Sequence, residues 1–513
     1  MAVDKVIVTN VAALQRKYGP RYREVKAAVT ALIAADRARG LRTALLAIDS
    51  PADMTRVGGK AVTRASDEKG AKAAVDAVCG HHTPDYLLLL GAPDVIPHIL
   101  LTNPMGHGED GDDDEHVPSD LPYACEAAFS RNPKDFVGPT RVVGRLPDVV
   151  KATEPGYLLK LLKTAATYAS RPRSSYSGHF AISARVWEKS TVESVGNLFG
   201  AGAQVLTSPA GGPNWTKAQL TPRLHFINCH GADLSPLFFG EGPKGKFFDA
   251  HSAAHLSTRV TAGSVIAAEC CYGAQQYDPS ETEGQAGIST TYLGAGAYGF
   301  FGSTTIAYGP SEGQGQADLI CQYFMEVVMK GGSLGRAALE ARQRFVAQFS
   351  HVDPSDLKTA VQFVLLGDPS LQPIAPTAHA FSRSKTVQRA LATGTLQPEA
   401  RRFRRERLVR TGSNLAHTVG ATVQTEQRVP ARVKAFLAKA ARESGLRKAR
   451  ITSHRVVFPS GPVTPEIGRL RPSQRGRAVY VMLGERAPGG AVTAVIATVE
   501  GARIVHVRRV HSR

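Results

Sequence analysis

The sequence predicts an α/β protein with two subdomains, each a mostly parallel central sheet flanked by helices, followed by a small basic α+β module at the C-terminal end. Three observations carry this prediction. Short apolar runs bounded by glycine alternate with longer stretches of helical periodicity, the pattern of buried parallel strands joined by crossover helices. The chain is 513 residues long, more than a single core needs. Charge is segregated as well: residues 376–513 hold 27 Lys and Arg against seven Glu and no Asp, whereas the whole chain carries +18, so the part before residue 376 is close to neutral. The boundaries that follow are 1–165 for the first α/β subdomain, 166–375 for the second, and 376–513 for the basic module.

In chain order, Val6-Ile7-Val8 reads as a strand, Tyr22 to Arg39 as a helix, and Thr43 to Ile48 and Tyr86 to Leu90 as further strands. Tyr157 to Ser170 is a helix leading into the second subdomain. His179 to Ser183, Val205-Leu206, Leu224 to Ile227, Ser264 to Ala268 and Ala297 to Phe301 are its strands. Two helices follow, from about Ala317 to Met329 and from Ser333 to about Phe349. In the basic module, Arg401 to Arg407 lies on an exposed helix and Ala431 to Glu443 forms another. Alternating strands are expected at Ile451 to Val457, Ala478 to Met482, Ala491 to Val499 and Ile504 to Val507.

Two of these strands end in reactive residues. Leu224 to Ile227 runs into Asn228-Cys229-His230-Gly231, and Ser264 to Ala268 into Glu269-Cys270-Cys271-Tyr272-Gly273. Ligands of open α/β sheets bind outside the carboxyl ends of the strands, so His230 and Cys271 are expected at one edge. A thiol near its ordinary pKa is mostly protonated at neutral pH, and a neighbouring imidazole must take that proton before sulfur attacks a carbonyl. His230 supplies the base. The backbone N–H groups of Gly231 and Cys271 are the expected oxyanion hole, since glycine permits close approach. Cys271 is preferred to Cys270 because it opens the Cys-x-Gly turn and because strand alternation sends Cys270 to the other face.

With these residues in view, the chain resembles the caspase-like cysteine peptidases, and most specifically the catalytic domain of the gingipain family. Ser119-Asp120-Leu121-Pro122-Tyr123, Val142-Val143-Gly144-Arg145-Leu146-Pro147, the His-Gly and Cys-x-Gly segments and Leu366-Gly367-Asp368-Pro369-Ser370-Leu371 carry the resemblance, over roughly residues 80 to 375. It implies a caspase-like fold and an endopeptidase with His230 as base and Cys271 as nucleophile. Glu269, two residues before Cys271, shares its face and is placed to pair with a substrate Arg or Lys, as the acid of the Asp-x-Cys arrangement in metacaspases does. Asp120 is a second candidate, either lining the pocket or orienting His230. Gingipains are secreted and calcium-stabilised, and here the sequence departs from them.

No long apolar stretch marks Met1 to Asn10 as a secretory signal, and no run reaches the length of a membrane span. Six cysteines, unevenly spaced, suit a reducing compartment better than a disulfide framework. The expectation is a cytoplasmic enzyme acting on protein or peptide substrates, with no membrane contact, no cofactor and no resident metal. The carboxylate-dense stretch between His107 and His116 reads as a solvated loop, with calcium binding or substrate contact as the alternative, and it lacks the EF-hand glycine and glutamate. The basic module offers a surface to an acidic partner or to nucleic acid, though aromatic interleaving for base stacking is missing. Self-cleavage within its Arg-rich segment is a further option.

Three lookalike motifs compete. Gly294 to Gly299 matches a dinucleotide fingerprint but precedes a strand, and Gly240 to Lys246 has Walker spacing with Phe247 where a hydroxyl is needed. Gly309-Pro310-Ser311-Glu312-Gly313 fits a nucleophile elbow and would make Ser311 the centre of a serine hydrolase, without a convincing Asp and His downstream. A catalytically inactive caspase-like scaffold or receptor is the remaining rival.

Overall fold

The computed structural model describes residues 3–106, 112–310, 312–348, 353–375, 411–412, 422–425, 429–457, 477–486, 492–500 and 503–513. The predicted Arg401–Arg407 helix and Ser311 both lie outside the described residues.

A single ten-stranded sheet runs through both α/β subdomains. Its strand order is Thr43–Ala47, Lys5–Thr9, Tyr86–Leu90, Val143–Leu146, Phe363–Leu366, Gly299–Ser303, Val265–Ala268, Leu224–Asn228, His179–Ala184 and Leu206–Ser208. The first five are mutually parallel, and so are the last five. The one antiparallel junction joins Gly299–Ser303 to Phe363–Leu366. One caspase-like sheet is therefore built of two parallel blocks whose strand ends point in opposite directions, and Phe363–Leu366, late in the chain, lies in the first block. Apolar runs such as Tyr-Leu-Leu-Leu-Leu in Tyr86–Leu90 form these strands because helices such as Tyr22–Ala38, Gly156–Thr167 and Gln316–Met329 cover the sheet.

Two segments that carry the family resemblance meet inside the first block. Leu366 pairs with Arg145, and Gly144 lies so close to the next turn that a Cβ there would fall 2.6 Å from the Gly367 carbonyl oxygen. Asp368 in that turn pairs with the buried Lys5, which also holds Asp36 at 3.0 Å. These contacts fix the late strand Phe363–Leu366 to the strands from the start of the chain.

The C-terminal module has its own antiparallel sheet of Thr422–Thr425, Leu446–Val457, Arg477–Arg486, Val492–Glu500 and Arg503–Ser512. Alternation along Arg477–Arg486 sorts its two faces. Tyr480 and Met482 pack with Val433, Leu437, Ala440 and Ala441 of the helix Ala431–Glu443. Val479, Val481 and Leu483 join Ile320, Phe324 and Leu357 of the catalytic half in one apolar cluster. The edge strand Arg503–Ser512, longer than the sequence pattern predicts, continues this sheet onto the catalytic half by pairing antiparallel with Tyr308–Gly309.

Candidate active site

Leu224–Asn228 and Val265–Ala268 are adjacent parallel strands, with Ile227 opposite Ala268. Their carboxyl ends deliver His230 and Cys271 to the same edge, together with Trp187 from the turn just beyond the strand His179–Ala184 and Tyr308 from beyond Gly299–Ser303. His230-Gly231 turns back against Leu237–Glu241 as a short antiparallel pair. Gly231 then passes so close to Cys271 that a Cβ would lie 1.7 Å from the Cys271 carbonyl oxygen, so only glycine fits. Cys270 packs with Ile227 and Ala268 on one side of the sheet, whereas Cys271 joins Ala267 and Phe301 on the other. Tyr272, next in the turn, sits at φ +54°, a left-handed conformation that side-chain-bearing residues adopt at a cost of about 1–3 kcal/mol.

The His230 imidazole packs against Trp187 at 4.2 Å between ring centroids and against Phe247 at 4.7 Å. Its Nε2 lies 2.9 Å from Glu241 Oε2. A carboxylate there favours the tautomer with the proton on Nε2, which leaves the lone pair on Nδ1. Asp120, expected to orient His230 or line a pocket, does neither. Its carboxylate is taken up by Arg145 Nε at 2.8 Å and Nη2 at 2.5 Å, and by His98 Nδ1 at 2.9 Å. Burial alone would raise the Asp120 carboxyl, yet Arg145 and His98 hold it well below the usual carboxylate range. The resemblance placed Asp120 near the site in sequence order, and a buried arginine on the neighbouring strand claimed it.

Glu269 is completely buried and faces a cation from a distant part of the chain. Arg513 donates from Nη1 to Glu269 Oε2 at 2.8 Å, and from Nη2 to Asp318 at 2.9 and 2.8 Å and to the Pro310 carbonyl at 3.1 Å. Its guanidinium lies 5.0 Å from the Trp187 ring. Gly309 floors the cavity: a Cβ there would fall 2.1 Å from Arg513 Nη2. Burial, then the nearby Asp318, push the Glu269 carboxyl well above its ordinary range even with Arg513 alongside. The backbone of Arg513 is engaged too. The Cys271 N–H donates to the Arg513 carbonyl oxygen at 3.0 Å, and the Arg513 N–H to the Ala307 carbonyl at 2.9 Å.

Residues 229–374, which include both strand ends and Asp318, match the model of peptidase family C25. The chain is a cysteine-type peptidase. A solved structure described as "Structure of Protease" aligns with TM-score 0.47 and 11% identity, over 99% of this chain and 97% of that one. No curated protein matches the sequence.

In the peptidase, residues 107–111 of the carboxylate-dense stretch expected as a solvated loop lie outside the described residues, and the acids after them are not all solvated. Asp112 and Asp114 are buried, each 2.6 Å from Lys358 Nζ. Asp112 also accepts from the Tyr308 hydroxyl and Asp114 from the Tyr272 hydroxyl, both at 2.8 Å, so the pair braces the turn after Cys271 and the strand beyond it. Among the described residues, no group of three or more His, Cys, Asp or Glu side chains is arranged to hold a metal ion, and no helix is long and apolar enough to cross a membrane. Asp318, Trp187, Glu241 and Gly309 are the site residues that the sequence reading missed. Only Glu241 left a trace, as a carboxylate on the return strand of the hairpin that starts at His230.

Proposed function

We propose that this peptidase is an endopeptidase that cleaves after arginine, and less readily after lysine, through Cys271 and His230. One observation carries the reading: an arginine side chain fills the carboxylate pocket while its own carbonyl oxygen accepts from the Cys271 N–H. This is the arrangement a substrate needs, with specificity contact and reacting carbonyl fixed by one residue.

The chemistry follows from the groups present. His230 takes the Cys271 proton, and sulfur attacks the carbonyl carbon of the residue whose side chain lies in the pocket. Charge that develops on the carbonyl oxygen is met by the Cys271 N–H, with the Gly231 N–H as the second donor. Collapse breaks the C–N bond, and His230 returns the proton to the leaving amine. Water, deprotonated by His230, then attacks the thioester and restores the thiol. Glu241 holds the ring and stabilises its charged form, as a positioning residue. Two carboxylates at right reach for two guanidinium nitrogens favour arginine's planar fork over the point charge of lysine. The six cysteines, all free and buried, support a reducing compartment, and we place the enzyme in the cytoplasm.

The test is turnover of fluorogenic peptides with Arg, Lys, Asp or Leu before the cleaved bond by a chain lacking residues 511–513, in which Arg513 no longer occupies the pocket. Arg is expected to be fastest, with no turnover in Cys271→Ala and retained turnover in Cys270→Ala. Turnover that survives Cys271→Ala and disappears in Ser311→Ala would replace the thiol reading with the serine one.

A further inference from the structure

The occupant of the pocket belongs to the chain itself, and its placement is more than a single contact. We propose that residues 503–513 are a built-in, substrate-like plug: the strand lies along the groove at Tyr308–Gly309, Arg513 fills the specificity pocket, and the enzyme stays closed until this segment is displaced. The inference rests on the reading of Cys271 as nucleophile and of the Glu269–Asp318 cavity as its specificity pocket.

Four features support it. The pairing is that of a bound extended peptide, with Ser512 opposite Tyr308 and His511 opposite Gly309, so main-chain hydrogen bonds supply affinity and the side chain after them supplies selectivity. Charge is complementary, because a cavity lined by two carboxyl groups receives a cation from the one strongly basic part of the chain. A second anchor lies five residues upstream: Arg508 pairs with Asp353 and, at 2.5 Å, with Asp356, at the start of the helix Pro354–Gln362. The strand also continues a sheet whose apolar face already rests on the catalytic half through Val479, Val481, Ile496 and Val510. Tethering of this kind presents the plug at a high local concentration, so a free peptide competes at a disadvantage.

The consequence for the nucleophile is direct. With Arg513 in place, Cys271 is 3% exposed, and its thiol donates to the Ala307 carbonyl at 3.5 Å. Burial pushes that thiol up to about 12, which keeps it protonated and unreactive at neutral pH. Activation requires something that pulls the strand away: a partner protein that takes Arg503–Ser512 as a strand, cleavage upstream, or an arginine-containing substrate that outcompetes it.

The experiment measures alkylation of each cysteine by iodoacetamide, read by mass spectrometry, in the full chain, in Arg513→Ala and in a chain lacking 511–513. Cys79, Cys125, Cys229, Cys270 and Cys321 are all buried and report whether each variant stays folded. Cys271 is expected to react at least tenfold faster in both altered chains, with the other five unchanged. Adding the peptide Val-His-Ser-Arg to the shortened chain should protect Cys271 again, and Val-His-Ser-Ala should not. Equal Cys271 reactivity in the intact and shortened chains overturns the proposal. Release and peptide protection without cleavage of any Arg substrate would leave the plug standing and remove the endopeptidase reading.

Discussion

Two buried arginines in this molecule meet carboxylates, and they do opposite work. Arg145 faces one carboxylate, Asp120, and spends its remaining donors on the Gly91 and Ile96 carbonyls, at 2.8 and 2.7 Å, while His98 completes Asp120. Each charge there has its partner within the same half of the sheet. Arg513 faces two carboxylates from two different elements, Glu269 Oε1 has no hydrogen-bond partner, and the cation arrives on an edge strand from another module. A stoichiometric cluster of core residues holds a fold together. A cluster with two acid groups for one cation, floored by glycine and completed by a separable segment, is a place where something binds.

Breaking the two arginines should separate these roles most sharply. Arg145→Leu strands a buried carboxylate with no route to water, and removal of one partner from such a pair costs about 3–5 kcal/mol. Arg513→Leu leaves a cavity that the tail can vacate and water can enter, so its cost should be near the ~1 kcal/mol typical of a point mutation. Urea unfolding of the two variants measures this directly. Similar losses would mean that the pocket is a structural site like the other.

Next in size is the effect on specificity, best measured in a chain lacking 511–513 so that the pocket is open. Asp318→Asn removes one carboxylate from a desolvated pair, and kcat/KM for Arg peptides should fall by about 30- to 1,000-fold, or ~2–4 kcal/mol. The slow cleavage of Leu peptides should hardly change. Because lysine engages the pocket as a point charge, its loss should be smaller than that of arginine. A uniform loss across all peptides would place Asp318 in the fold and not in recognition.

Gly309→Ala is a milder probe of the same cavity. Its Cβ would overlap the guanidinium, and overpacking of that kind costs about 1–3 kcal/mol. The expected outcome is a drop of roughly 5- to 150-fold in kcat/KM for Arg peptides, with Lys peptides less affected because their side chain is narrower. Retained Arg preference would show that the backbone floor yields.

What was readable from the sequence divides along the same line. The convergence of His230, Cys271 and Glu269 on one edge was legible because each lies within a few residues of a strand end, and strand direction alone brings those ends together. Alternation likewise separated Cys270 from Cys271. Asp318 was not legible, because an acid in the first turn of the helix Gln316–Met329 reads as an ordinary partner of the helix N-terminus. Arg513 was further out of reach, since nothing local records that a strand some 240 residues after Glu269 returns to it. The mostly parallel α/β architecture was foreseen, but not that two parallel blocks would share one sheet through an antiparallel junction, a property of pairing and not of periodicity. Asp120 was misplaced for a related reason: a segment's order along the chain says nothing about which buried cation claims its carboxylate.

Acid should separate the two clusters by the smallest but most diagnostic margin. Burial and Asp318 raise the Glu269 carboxyl, and burial raises Asp318 as well, so a proton enters the pocket while the pH is still above the ordinary carboxylate range. A protonated pocket loses its hold on a guanidinium, and Arg selectivity should therefore rise with pH and fall in mild acid. Asp120 runs the other way: its folded value is depressed, so the stability it contributes is present above the unfolded carboxyl's range and is lost only as pH falls through that depressed value. As the pH falls from neutrality towards the unperturbed carboxyl values of roughly 4, the ratio of Arg to Leu cleavage in the chain lacking 511–513 should drop before the urea midpoint does. If ratio and midpoint fall together, the pocket is not titrating on its own, and the distinction between a binding cluster and a structural one loses its electrostatic basis.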